Sequence, residues 1–185
     1  MDDVAASKYL SWVLRHDPQA LGLTPTVDGW ISIERLLEAA AAEGKSLTHA
    51  RIRELVLASD KQRFALSPDG LMIRAQQGHS IPVELGYAPA APPALLFHGT
   101  VAAALPSIRA KGLLRGQRHH VHLSANRETA TRVGARRGTP VVLVVRAMQM
   151  AEAGSVFYRT PNGVWLVDHV PADDIDFDSL VRGTQ

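Results

Sequence analysis

Tyr87-Ala88-Pro89-Ala90-Ala91-Pro92-Pro93-Ala94 decides how this chain is divided. Proline lacks a backbone N–H and has a fixed φ, so this run can continue neither a helix nor a central strand, and it reads as a semi-rigid linker. It separates a chain of 185 residues into lobes of residues 1–88 and 94–185, each long enough for a modest core of its own.

Upstream of the linker, Val4, Leu10, Val13 and Leu14 recur at helical spacing behind a possible cap at Asp2 or Asp3, and Pro18 closes the segment. Ser32 can cap a second helix carrying Ile33, Leu36, Leu37 and Ala40 and stopped at Gly44. Thr48 can cap a third carrying Ile52, Leu55 and Val56. Two strand-like runs follow, Arg63 to Ser67 and Leu71 to Arg74, separated by the turn residues Pro68-Asp69-Gly70. Helices followed by a hairpin predict a winged-helix lobe.

Downstream, residues 94–97 and Pro140 to Val145 read as buried strands, while Val101 to Lys111 and Asn126 to Arg137 read as helices. Asn162-Gly163 predicts a hairpin turn between Val156-Phe157-Tyr158 and Val164-Trp165-Leu166-Val167. The second lobe is therefore strand-rich, and the expected fold class is α+β. Trp12, Trp30 and Trp165 are expected to anchor the cores.

The composition narrows the chemistry. With 46% hydrophobic and 21% charged residues the chain has the balance of a globular protein and little room for long disorder. The absence of cysteine excludes disulfides, thiolate catalysis and cysteine-ligated zinc. Met1-Asp2-Asp3-Val4 lacks the basic-then-apolar order of a signal peptide, and no apolar run has membrane-spanning length, so a cytoplasmic protein is expected. The net charge of +2 says little, but residues 109–137 hold 8 Lys/Arg against the single acid Glu128. Such a basic middle suits phosphate binding or a solvated, arginine-rich helix face.

Several short motifs can carry chemistry, each with a plainer alternative. Leu14-Arg15-His16-Asp17-Pro18 puts Arg15 and His16 at a helix C-terminus, where local capping also favours them. Asp60-Lys61-Gln62-Arg63-Phe64 places polar side chains where the hairpin begins. Gln76-Gln77-Gly78-His79-Ser80 offers a glycine where backbone amides can approach a ligand, or a plain turn. Phe97-His98-Gly99-Thr100 ends a strand just before a helix, which suits a nucleotide edge or a satisfied core histidine. Arg118-His119-His120-Val121-His122-Leu123-Ser124 holds three histidines, with His120 and His122 on one face of a strand. Without a nearby carboxylate this is a poor zinc site, and no metal is expected.

The order and combination of these motifs resemble the tRNA 2'-phosphotransferase family over nearly the whole chain. The resembling blocks are Ser7-Lys8-Tyr9-Leu10-Ser11 with Leu14-Arg15-His16, Asp28-Gly29-Trp30, Lys61-Gln62-Arg63-Phe64, and Ile73 to Ser80. They continue with His98-Gly99-Thr100, Arg118, His120 to Ser124, and Asn162-Gly163-Val164-Trp165-Leu166. The resemblance implies an N-terminal winged-helix lobe for RNA, a C-terminal lobe similar to ADP-ribosyltransferases for NAD, and a cleft between them. It implies an enzyme that consumes NAD to remove an internal RNA 2'-phosphate, as in tRNA splicing, and a monomer suffices.

By the same resemblance, Arg15, His16, Arg63 and Arg118 are the catalytic set. Arg15, His16 and Arg63 hold the 2'-phosphate and Arg118 stabilises charge in transesterification. His98, Gly99 and Thr100, with His122, Ser124 and Asn126, are the implied NAD contacts. The three strand positions that mark the ADP-ribosyltransferase superfamily fall on His98, His122 and Val164, where Val164 departs from the glutamate of protein-modifying members. The rivals are an ADP-ribosyltransferase acting on another acceptor and a winged-helix binding protein without catalysis.

Overall fold

The computed structural model describes residues 1–58 and 62–182, the last five of these by backbone alone. The chain divides into two compact units, Met1–Gly86 and Tyr87–Gln185.

The first unit opens with helix α1 (Asp3–Arg15), whose N-cap Asp2 accepts a hydrogen bond from the Ala5 N–H. Ala6, Tyr9, Leu10, Val13 and Leu14 form its buried stripe. Val4 and Trp12 stand outside it, with 64% and 38% of their surfaces exposed. The expectation that Trp12 anchors the core is therefore corrected: it lies off the stripe and tilts against Tyr9, ring centroids 6.2 Å apart. Strand β1 (Ile31–Ser32) leads into α2 (Ile33–Ala42), where Ser32 caps as expected, and Thr48 caps α3 (His49–Leu57). Strands β2 (Phe64–Leu66) and β3 (Met72–Ala75) complete an antiparallel sheet in the order β1-β3-β2. Leu10, Leu14, Leu36, Ile52 and Ile73 meet in its core, each fully buried. Trp30 is half-buried beneath the Arg74 guanidinium, 4.6 Å from its ring centroid.

In the second unit β4 (Leu96–Val101) is followed by a short 3-10 turn and α4 (Leu105–Lys111). Strands β5 (Leu113–Leu114) and β6 (Val121–Leu123) precede α5 (Arg127–Gly134), which runs into a 3-10 turn at Ala135–Arg137. Next come β7 (Pro140–Val145), α6 (Ala147–Glu152), β8 (Phe157–Arg159), β9 (Trp165–Val167), β10 (His169–Val170) and β11 (Ile175–Arg182). The strands pair as β11-β7-β4, β6-β9-β8 and β10-β5. Every one of these pairings is antiparallel, which makes the fold α+β rather than a doubly wound parallel sheet.

Strand β7 is buried along Val141 to Val145 because it lies between two partners, whereas the short β6 alternates buried Val121 and Leu123 with half-buried His122. Phe97 and Ser124 exchange both backbone hydrogen bonds, at 2.9 and 2.7 Å, which ties β4 to the end of β6. The proline-alanine run is itself anchored, because the Ala90 N–H donates to the Phe157 carbonyl and Pro89 bridges Tyr158. Among the described residues no helix is long and apolar enough to cross a membrane.

Candidate active site

The residues singled out in the sequence fall into two groups, one in each unit. In the first, Arg15 is the last residue of α1 and His16 its C-cap. The chain returns to this helix end through residues 76–80. The Ser80 N–H donates to the Arg15 carbonyl at 2.9 Å, and Ser80 Oγ lies 3.0 Å from His16 Nδ1. A left-handed Gly78, φ +86°, makes the bend that brings Ser80 there. The same run holds Arg63, whose carbonyl accepts from the Gln76 N–H at 2.9 Å, extending the β2–β3 ladder by one pair. The Arg63 side chain crosses to α1, where Nη1 donates to Ser7 Oγ at 3.3 Å. Arg15, His16 and Arg63 are thus all fastened to α1 or to the run 76–80. Asp60 and Lys61 lie outside the described residues.

The second group gathers where β4 and β6 meet. His98 on β4 donates from Nδ1 to the His122 carbonyl at 3.1 Å, since a carbonyl can only accept. Arg118 Nη1 donates to His122 Nδ1 at 2.8 Å. A guanidinium has no acceptor, so this contact requires a lone pair on Nδ1 and places the His122 proton on Nε2. Burial pushes the His98 pKa below its usual value, the hydrogen bond to the His122 carbonyl partly opposes this, and the positive charges of Arg137 and Arg118 lower it further. His98 is therefore neutral near pH 7, with its Nε2 an acceptor. Partial desolvation, followed by the fields of Arg137 and Arg136, lowers the Arg118 pKa as well, from a value high enough that the side chain remains charged.

The remaining predicted contacts take distinct places. Gly99 faces α5: a Cβ built on it would lie 1.8 Å from the Ala130 carbonyl oxygen, so its first role is to let helix and strand approach. Thr100 is buried, paired in register with Val141. Ser124 is half-buried and pairs with Phe97 through its backbone. Asn126 caps α5, with Oδ1 accepting from the Thr129 N–H at 2.8 Å. Along the basic helix, Arg127 covers the Phe97 ring and Arg132 approaches Glu128 one turn away, so part of this charge is used locally. His120 sits edge-on to Tyr158 at 5.4 Å, and no group of three metal-capable side chains occurs among the described residues.

A family model described as RNA 2'-phosphotransferase, Tpt1 / KptA family, matches residues 1–169. The chain belongs to that family. Similar proteins span almost its full length. One from Acaryochloris marina is 52% identical over 168 residues, covering 91% of this chain and 93% of its own. One from Streptomyces coelicolor is 53% identical over 174 residues, covering 94% of each chain. One from Pseudomonas aeruginosa is 52% identical over 172 residues, covering 92% and 93%. All three bear the name "Probable RNA 2'-phosphotransferase". Membership makes this Tpt1/KptA protein an enzyme of the transferase class. Ser80 stood in the sequence only as the end of the Gln76–Ser80 motif; its contact with the end of α1, 65 positions away, is what sequence reasoning did not give.

The His98 environment makes a measurable prediction. An unfolded histidine titrates near pH 6.5, and the folded one lower, so between the two values the unfolded chain binds more protons. Stability from this site is complete above about pH 6.5 and falls as the pH drops below it. His98→Asn keeps a donor toward the His122 carbonyl but cannot titrate. Its denaturant midpoint should fall less steeply than the wild type's between pH 6.5 and 5. Equal slopes would mean that His98 does not contribute.

Proposed function

We propose that this enzyme removes an internal 2'-phosphate from RNA by transferring it to the ADP-ribose part of NAD, releasing nicotinamide and ADP-ribose 1'',2''-cyclic phosphate. The observation that carries the reading is the neutral, carbonyl-anchored His98 beside the permanently charged Arg118, within a chain of the RNA 2'-phosphotransferase family. A neutral imidazole with an acceptor Nε2 suits a ribose hydroxyl. An arginine fork suits two phosphate oxygens at once. Both groups are what a nucleotide diphosphate and a transferred phosphate require.

Arg15, His16 and Arg63 grip the RNA 2'-phosphate, whose oxygen forms a bond to the NAD ribose carbon while the bond from that carbon to nicotinamide breaks. Nicotinamide takes the bonding electrons and departs neutral. The phosphate is already an anionic nucleophile, so this step needs no base, and the apolar Val164 in place of a glutamate is compatible with it. The ribose 2''-hydroxyl then attacks the bridging phosphorus, the bond from phosphorus to the RNA 2'-oxygen breaks, and a proton passes from the former oxygen to the latter. Arg118 stabilises the charge that builds on the phosphate oxygens, and His16 delivers the proton to the leaving oxygen. In this reading the first unit is a winged-helix RNA lobe and the second an ADP-ribosyltransferase-like NAD lobe, and one cytoplasmic chain contains the whole reaction.

The test is the NAD requirement. Purified protein is incubated with a short RNA bearing one internal 2'-phosphate, with and without NAD. Conversion to a 2'-hydroxyl only when NAD is present supports the reading. ADP-ribose left on another acceptor with the RNA phosphate intact supports an ADP-ribosyltransferase, and no NAD consumption supports a binding protein.

A further inference from the structure

Ser80 meets the end of α1 through three contacts that belong together. Its N–H donates to the Arg15 carbonyl at 2.9 Å, filling one of the acceptors that a helix leaves open in its last turn. Its hydroxyl oxygen lies 3.4 Å from that same carbonyl and 3.0 Å from His16 Nδ1. The carbonyl can only accept, and a hydroxyl proton turned toward it leaves an oxygen lone pair for the imidazole. When His16 carries a proton on both nitrogens, as a general acid must, this direction is the only one available.

We propose that Ser80 is the positioning residue for His16: its hydroxyl accepts from Nδ1–H and leaves Nε2 as the nitrogen that exchanges a proton with the reacting oxygen. The assignment rests on the functional reading above and adds to it which nitrogen acts and what aims it. The neutral form held this way has its proton on Nδ1, opposite to the tautomer that predominates in a free histidine side chain. The hydroxyl and the backbone also act separately. Ser80→Ala removes the bond to His16 and keeps the N–H that closes α1, so the variant retains the helix end. Ser80→Thr keeps the hydroxyl and adds a methyl at an exposed position.

The experiment combines a spectroscopic and a kinetic readout on the full chain. Two-bond 1H–15N spectra of wild type, at a pH where His16 is neutral, should show the proton on Nδ1, and those of Ser80→Ala should show a shift of population away from that form. With 2'-phosphorylated RNA and NAD, Ser80→Ala should slow decay of the ADP-ribosylated RNA intermediate about tenfold, the scale of one lost hydrogen bond, with little change in KM for RNA. Ser80→Thr should restore both signatures. A wild-type tautomer and decay rate in Ser80→Ala would overturn the proposal. So would a defect that Ser80→Thr leaves uncorrected. If wild-type protein leaves the 2'-phosphate untouched, the functional reading fails, while the tautomer spectra still decide whether Ser80 holds His16.

Discussion

In the proposed reaction, Arg118→Ala is expected to let the first step proceed and to stall the second. RNA carrying ADP-ribose on its 2'-phosphate accumulates, and its conversion to 2'-hydroxyl RNA slows by about a hundredfold to a thousandfold, the usual loss when a charge-stabilising donor is removed. The two steps differ in where charge develops. In the first an anionic phosphate meets an electron-poor ribose carbon and a neutral group leaves, so no new negative charge needs a partner. In the second, charge concentrates on the oxygens of a phosphate under attack, where a charged, two-pronged donor acts most strongly. The substitution also removes the donor to His122 Nδ1. Arg118→Lys separates the two effects, since it keeps the charge and loses the fork. Its second step should lie between wild type and alanine. A time course resolving substrate, ADP-ribosylated RNA and product gives the answer, and an equal fall in both steps would remove Arg118 from its assigned role.

Gly99→Ala acts on folding rather than chemistry. The added methyl would sit 1.8 Å from the Ala130 carbonyl oxygen and 2.8 Å from the Gly134 nitrogen. These are backbone atoms of α5, so no side chain can swing aside, and the helix must lift from β4 as a body. Strand β4 is paired residue for residue with β7 from Leu96 to Val101, so it has little freedom to retreat. Overpacking of this kind costs about 3 kcal/mol or more, which for a unit of this size is a fall in Tm of roughly 12 °C or more. Thermal unfolding checks this directly. A Gly99→Ala protein with wild-type stability would show that α5 does not press on β4 as described.

The helices and caps of the first unit were legible because each has a local cause. Asp2, Ser32 and Thr48 cap their helices through side-chain oxygens, and Leu10, Val13 and Leu14 repeat at helical spacing. The hairpin at Asn162-Gly163 was equally local. What escaped the sequence depends on distant partners. Strands β1, β5 and β10 are two residues each and exist only because another strand lies alongside. Helix α6 begins directly after β7 with no side-chain cap to announce it. Trp12 was misplaced because size suggests burial, whereas its position on α1 decides exposure.

The site divides in the same way. Residue types at Arg15, His16, Arg63, His98 and Arg118 were visible in motifs, but the pairings that give them chemical states were not. Nothing near Arg118 in the sequence says that it donates to Nδ1 of His122 rather than Nε2, and nothing near His16 points to Ser80. Gly99 shows the opposite limit. A glycine after His98 suggests room for a ligand, while the fold uses that room for a helix backbone.

The most direct measurement follows the phosphorus atom itself. An RNA labelled with 32P only in its internal 2'-phosphate is incubated with the enzyme and NAD, and the label is traced. The label should leave the RNA and appear in ADP-ribose 1'',2''-cyclic phosphate, where it resists phosphatase. Label released as inorganic phosphate, or retained in the RNA while NAD is consumed, would contradict it.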